Sequence, residues 1–167
     1  MGEQSIENKI QLHAALLRAE GGDSQALAEN LADNPICSIR VDESVPCATV
    51  RWKGYATSAQ LRYVLECVIE MLHSRGLTRI LGEDTALPTI LAEDQRWIAE
   101  DWMPRAAAAG LLAIASKRPA TYFGQVAVES VLRVIARGVS VRLFDNVEEA
   151  RAWLRSFGSS LNPQPAT

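Results

Sequence analysis

The sequence predicts an α/β fold. Its core is a mostly parallel central sheet of about five strands, with an antiparallel hairpin at its N-terminal edge and a helical pair ahead of it. Three observations predict this. Short strand-like runs at 36–41, 45–52, 78–82, 111–116 and 139–144 alternate, after the second, with stretches whose apolar residues recur every three or four positions. Only a short polar turn separates the first two runs, which makes them antiparallel neighbours. Leu111-Leu-Ala-Ile-Ala-Ser116 is continuously apolar, as a central parallel strand must be.

The elements follow in order. Ile6, Ile10, His13 and Leu17 form one helical stripe, which Gly21-Gly22 ends; Asp23 or Ser24 caps a second short helix carrying Leu27 and Leu31. Residues 1–33 hold two basic groups against six acidic ones, a local net charge of −4. Pro35 stops the preceding helix and marks the boundary between an acidic helical extension (1–34) and the main domain (35–157). Pro46 stands at the start of the second strand, where proline is tolerated. Thr57 or Ser58 caps a helix whose stripe is Leu61, Val64, Leu65, Val68, Ile69 and Leu72, ending at Gly76. In the next helix Leu91, Gln95, Ile98 and Trp102 share a face, and Pro104 kinks or ends it. A further helix carries Val128, Val131, Leu132 and Ile135. Asn146 with Glu149 opens the last, with Ala150, Trp153, Leu154 and Phe157 as its stripe. Residues 158–167 read as a frayed tail.

Composition excludes several classes. Of 167 residues, 17 are Lys or Arg and 20 Asp or Glu, so the net charge of −3 lacks the basic surplus of a nucleic-acid binder. No apolar run is long enough for a membrane span, and the polar N-terminus is not a secretory signal. Cys37, Cys47 and Cys67 have neither zinc-knuckle nor CxxC spacing and read as buried, reduced thiols of a cytoplasmic protein. The sequence has no GxGxxG, Walker loop, HExxH or GxSxG, and calls for no cofactor and no metal.

From Trp52 to Leu154 the chain resembles the SpoIIAA-like group of small α/β proteins, related in fold to STAS and CRAL-TRIO domains. Three segments carry the resemblance: Val50-Arg-Trp-Lys-Gly-Tyr55; Glu93-Asp-Gln-Arg-Trp-Ile-Ala-Glu-Asp-Trp-Met-Pro-Arg-Ala106; and Phe144-Asp-Asn-Val-Glu-Glu-Ala-Arg-Ala-Trp-Leu154. The resemblance implies mainly the fold. For the function, the lack of any nucleophile, metal or phosphate motif and the tryptophan-rich helix point to a non-enzymatic regulatory or protein-interaction domain; the CRAL-TRIO relatives offer carriage of a small hydrophobic ligand as the alternative. Anti-sigma-factor antagonists with this fold carry a phosphorylatable serine in a D-S-S-G loop. Here the loop after the third strand reads Glu83-Asp84-Thr85-Ala86-Leu87-Pro88, with Thr85 its only hydroxyl, so the phospho-switch does not carry over.

The candidate binding residues are Trp52, Asp84, Thr85, Trp97 and Trp102. Asp84 and Thr85 end a parallel strand, where ligands of open α/β sheets bind; an Asp there also serves its own turn. Trp97 and Trp102 are five apart and point about 140° from one another on a regular helix, so one faces the core and the other a cleft or partner, unless both fill the core. Glu93 and Asp94 in the helix's first turn complement its dipole. Glu100 and Asp101 lie within ion-pair reach of Arg96 and Arg105. A carboxylate enzyme built on Asp84 with Glu93 or Asp94 is the remaining alternative. The expected partner is a protein, or a second copy through the acidic extension.

Overall fold

The structure, a computed structural model, describes residues 37–83, 90–120, 125–126, 129 and 138–159. The expected acidic helical pair, Asp84 and Thr85 and most of the helix around Val131 lie outside these residues; of the expected tail 158–167, residues 158–159 continue the last helix and the rest lie outside. Five strands form one mixed sheet: β1 (Cys37–Asp42), β2 (Cys47–Trp52), β3 (Arg79–Glu83), β4 (Ala113–Lys117) and β5 (Ser140–Phe144). They are ordered along the sheet as in the chain. β1 and β2 are antiparallel, with Cys37 opposite Trp52 and Asp42 opposite Cys47. The other three pairings are parallel. The chain is therefore α/β, with the hairpin at one edge of the sheet.

Helix α1 (Ser58–Arg75) joins β2 to β3. Thr57 caps it: its hydroxyl accepts from the Gln60 amide at 3.3 Å, and the Gln60 side chain accepts from the Thr57 amide at 2.9 Å. Gly76, at φ 62°, closes it in the left-handed conformation that side-chain-bearing residues resist. Between β3 and β4 the helix does not stop at Pro104. α2 (Ala92–Trp97) passes into a π-helical turn (Ile98–Trp102) and then α3 (Met103–Ala108). Proline has no amide hydrogen, and its ring collides with the carbonyl four residues back. The wider turn, in which the Met103 amide donates to the Ile98 carbonyl, carries the helix past Pro104 without a break. α4 (Val147–Ser159) follows β5.

Among the described residues, the two faces of the sheet are covered unequally. On the first, Ile39, Val50, Trp52 and Ile80 pack against Leu61, Val64, Val68 and Leu72 of α1 and against Ile98, Trp102, Met103 and Ala106. On the second, Leu81, Ala113, Ala115 and Phe144 pack against Ala150 and Leu154 of α4, joined by Val45 and Cys47 at the foot of the hairpin. α4 lies over β3, β4 and β5. Ser38, Arg40, Thr49 and Arg51 occupy the alternate positions of β1 and β2 on that same face. The hairpin is thus apolar on one side and polar on the other, whereas β3 and β4 are apolar on both.

Leu81, fully buried between β3 and α4, should be costly to truncate. Leu81→Ala is expected to lower unfolding free energy in urea by about 2–5 kcal/mol. Leu91→Ala, at a half-exposed side chain, should stay within about 0.5 kcal/mol of the parent.

Candidate functional site

The sequence places its candidate residues where β2 and β3 end and α1 and α2 begin. Three of the five fall within the described residues. Trp52 is buried on the first face of β2. Trp102 is 3% exposed, and its indole Nε1–H donates to the Leu65 carbonyl of α1 at 2.8 Å. Both are core residues and offer a partner no surface. Trp97 is half-buried, with the Arg62 guanidinium 5.1 Å from its ring centre and that of Arg105 at 5.9 Å, so its ring is occupied by cations of its own chain. The extra residue of the π-helical turn accounts for the pairing: it narrows the divergence expected on a regular helix and turns both indoles toward α1.

Asp94 departs most from expectation. It is not a solvated first-turn acid but is 2% exposed, accepting from the Ser58 hydroxyl at 2.6 Å and from Arg62 Nε at 2.9 Å. It therefore ties the N-terminus of α2 to the first turn of α1. One helical stretch further on, Arg105 donates to both Glu66 oxygens, at 2.8 and 2.6 Å, and to Asp101 at 2.6 Å. These bonds, with Glu66 contributing most, hold its pKa above the ordinary guanidinium value. Of the acids around the tryptophans, Asp94 ties α2 to α1 and Asp101 joins Arg105 in its bond to Glu66.

Two apolar side chains stand out at this end of the sheet. Tyr55 is 63% exposed and Leu91 50%. Each lies three residues ahead, in the chain, of one partner of the Ser58–Asp94 bond that joins the two helix starts. Leu91 belongs to the face expected to be buried. It instead caps α2 from outside through its backbone, its carbonyl accepting from the Gln95 amide at 2.9 Å.

A concavity lies on the other face, away from the residues singled out in the sequence. It is a groove of about 480 Å³ lined by Ser38, Arg40, Thr49, Arg51, Lys53, Glu83, Asp42 and Arg151, among others. Its floor is the polar side of the hairpin. At one end Asp42 closes the β1–β2 turn, accepting from the Ser44 hydroxyl at 2.6 Å and the Ser44 amide at 2.9 Å. It also takes Arg151 Nε of α4 at 2.9 Å. The Ser44 hydroxyl first, then Arg151 and the turn amides, hold its carboxyl below the ordinary 3.8, against an opposing push from burial. At the other end Arg51 lies 3.5 Å from Glu83. The signal for this groove was present in the sequence: Cys37-Ser-Ile-Arg-Val-Asp42 and Cys47-Ala-Thr-Val-Arg-Trp52 both alternate apolar and polar residues.

The thiols are poor nucleophiles. Burial pushes Cys37 and Cys47 up to about 11 and Cys67 up to about 12, leaving little thiolate at neutral pH. Among the described residues no group of three or more His, Cys, Asp or Glu side chains is placed to hold a metal ion, and no helix is long and apolar enough to cross a membrane. Comparison of the chain with protein-family models, curated proteins and solved structures finds no match.

Two variants test these assignments. Trp102→Phe keeps the ring but loses the indole donor and should cost about 1 kcal/mol in urea unfolding; Trp102→Ala should cost about 3–5 kcal/mol. Because the folded pKa of Asp42 lies below its unfolded value, its stabilisation is present above 3.8 and fades as pH falls through the folded pKa. Asp42→Asn should therefore be less stable than the parent at neutral pH, with the gap closing in urea titrations run well below pH 3.8.

Proposed function

We propose that this chain is a non-enzymatic regulatory module of the SpoIIAA/STAS kind that works by contacting a protein, and that its contact surface is the strand-end region around Tyr55 and Leu91. The observation that carries the reading is the joint exposure of these two large apolar side chains beside the Ser58–Asp94 tie. Tyrosine is among the residues that dominate interface energetics, and a rigid base under it lowers the ordering cost of association. The α1 capping box and the buried Asp94 supply that base. The raised thiol pKa values and the use of Asp94, Asp101 and Glu66 in ion pairs support a role in binding over one in bond-making.

The reading also reinterprets the segment that carries the family resemblance. Its Asp94, Trp97, Trp102 and Arg105 fix α2 and α3 against α1, so they support the contact surface without forming it.

A photo-cross-linking residue at Tyr55, in cells making the full chain, should give a discrete protein adduct that Leu91→Ala diminishes. The same residue at Glu70, exposed on α1, should give none. Identical adducts from both positions, or none from Tyr55, would overturn the reading. Light scattering of the purified chain then distinguishes a second copy from a foreign partner.

A further inference from the structure

The groove on the second face carries an inference separate from the strand-end surface. Its floor is defined by register: Ser38 lies opposite Arg51, and Arg40 opposite Thr49. All four side chains point to the same face, so two arginines and two hydroxyls alternate around a square. Residues related diagonally across an antiparallel pair have Cβ atoms about 7–8 Å apart, a separation from which two guanidinium groups can converge on one oxyanion. Lys53 lines the same end.

Two observations point to a ligand here. Ser38 is only 8% exposed, yet its hydroxyl has no hydrogen-bond partner among the described residues. A buried, unpaired hydroxyl is unfavourable unless something in the groove pairs with it. Arg40 is exposed and has no ion pair among the described residues, although every other arginine lining the groove has one. Charge then selects the class of ligand. Arg51 is offset by Glu83 and Arg151 by Asp42, which leaves the Arg40 guanidinium on the floor of the groove without an ion pair among the described residues. A phosphate monoester brings about −1.5 to −2 charges and three acceptor oxygens, which suits a guanidinium flanked by two hydroxyls.

We propose that the Ser38–Arg40–Thr49–Arg51 end of the groove is a binding site for a small phosphate monoester. Arg40 and Arg51 grip the phosphate oxygens, and the Ser38 and Thr49 hydroxyls donate to them. Arginine's planar fork suits this geometry better than a point charge does. The rest of the groove, with its volume of about 480 Å³, receives the organic part of the molecule.

The test is an NMR titration of the ¹⁵N-labelled full chain with phenyl phosphate, with benzoate and a phosphoserine peptide as comparisons. Phenyl phosphate should give saturable shifts at the amides of Ser38, Arg40, Thr49 and Arg51. Arg40→Gln should weaken binding by about tenfold or more, and Ser38→Ala severalfold, while both variants keep the parent spectrum elsewhere. No saturable shift at these amides, equal affinity for benzoate, or full affinity in Arg40→Gln would overturn the proposal. A phosphoserine peptide binding more tightly than phenyl phosphate would overturn the small-molecule assignment and identify the ligand as a modified protein. Because Tyr55 and Leu91 play no part in this site, its failure leaves the strand-end reading intact, and loss of the Tyr55 adduct leaves this one intact.

Discussion

The structure depends on one constraint: β3 and β4 are apolar on both sides, and an apolar sheet face must be covered. Ile80 and Ile114 require α1, α2 and α3 on the first face, and Leu81, Ala113 and Ala115 require α4 on the second. A single C-terminal helix of thirteen residues is the described cover on that second face, and it is committed to β3, β4 and β5. The hairpin is relieved of the requirement because its outward positions are Ser38, Arg40, Thr49 and Arg51. Among the described residues, the groove therefore lies where α4 does not reach, over the polar side of the hairpin.

On the opposite side the constraint is electrostatic. Burying Asp94 is unfavourable unless its oxygens are paired, and Ser58 and Arg62 pair them. Because those partners stand on the first turns of α1, the position of α2 is set by a charge that has nowhere else to go. Arg62 also lies over Trp97, and Trp102 bonds the α1 backbone, so three contacts of different chemistry set one helix against another. Such redundancy holds both helix starts, and the side chains just ahead of them, in a fixed relation.

Much of this could be read in the sequence. The five strands, the Thr57 start and Gly76 end of α1, and the Asn146–Glu149 bond at 2.9 Å that opens α4 follow from local patterns, and the structure has all of them. The failures share a cause. Asp94 beside Glu93 is indistinguishable in sequence from a solvated pair, because what buries it is Ser58 and Arg62, 36 and 32 residues away. Pro104 reads as a kink or an end of the helix because the local rule has no term for a wider turn that keeps its hydrogen bonds. Trp52 and Trp102 stand out in the sequence by residue type, which leaves open whether a side chain faces the core or a partner; the structure has both in the core. The alternation in β1 and β2 does say so; it marks the polar face that lines the groove.

The π-helical turn has a consequence for length variation in this protein. A turn that holds one residue more than its neighbours is a phase adjustment, and Ile98–Trp102 is where this helix makes its own. Deleting one residue there would restore regular winding and leave the downstream helix close to its present phase, because the wider turn spends its extra residue without advancing the screw. Arg105 would still face Glu66 and Met103 the core, whereas the same deletion within the regular turns of α1 would rotate everything after it by about 100°. Tolerance to the loss of a residue is therefore set by phase, and it is greatest where the helix already carries one to spare.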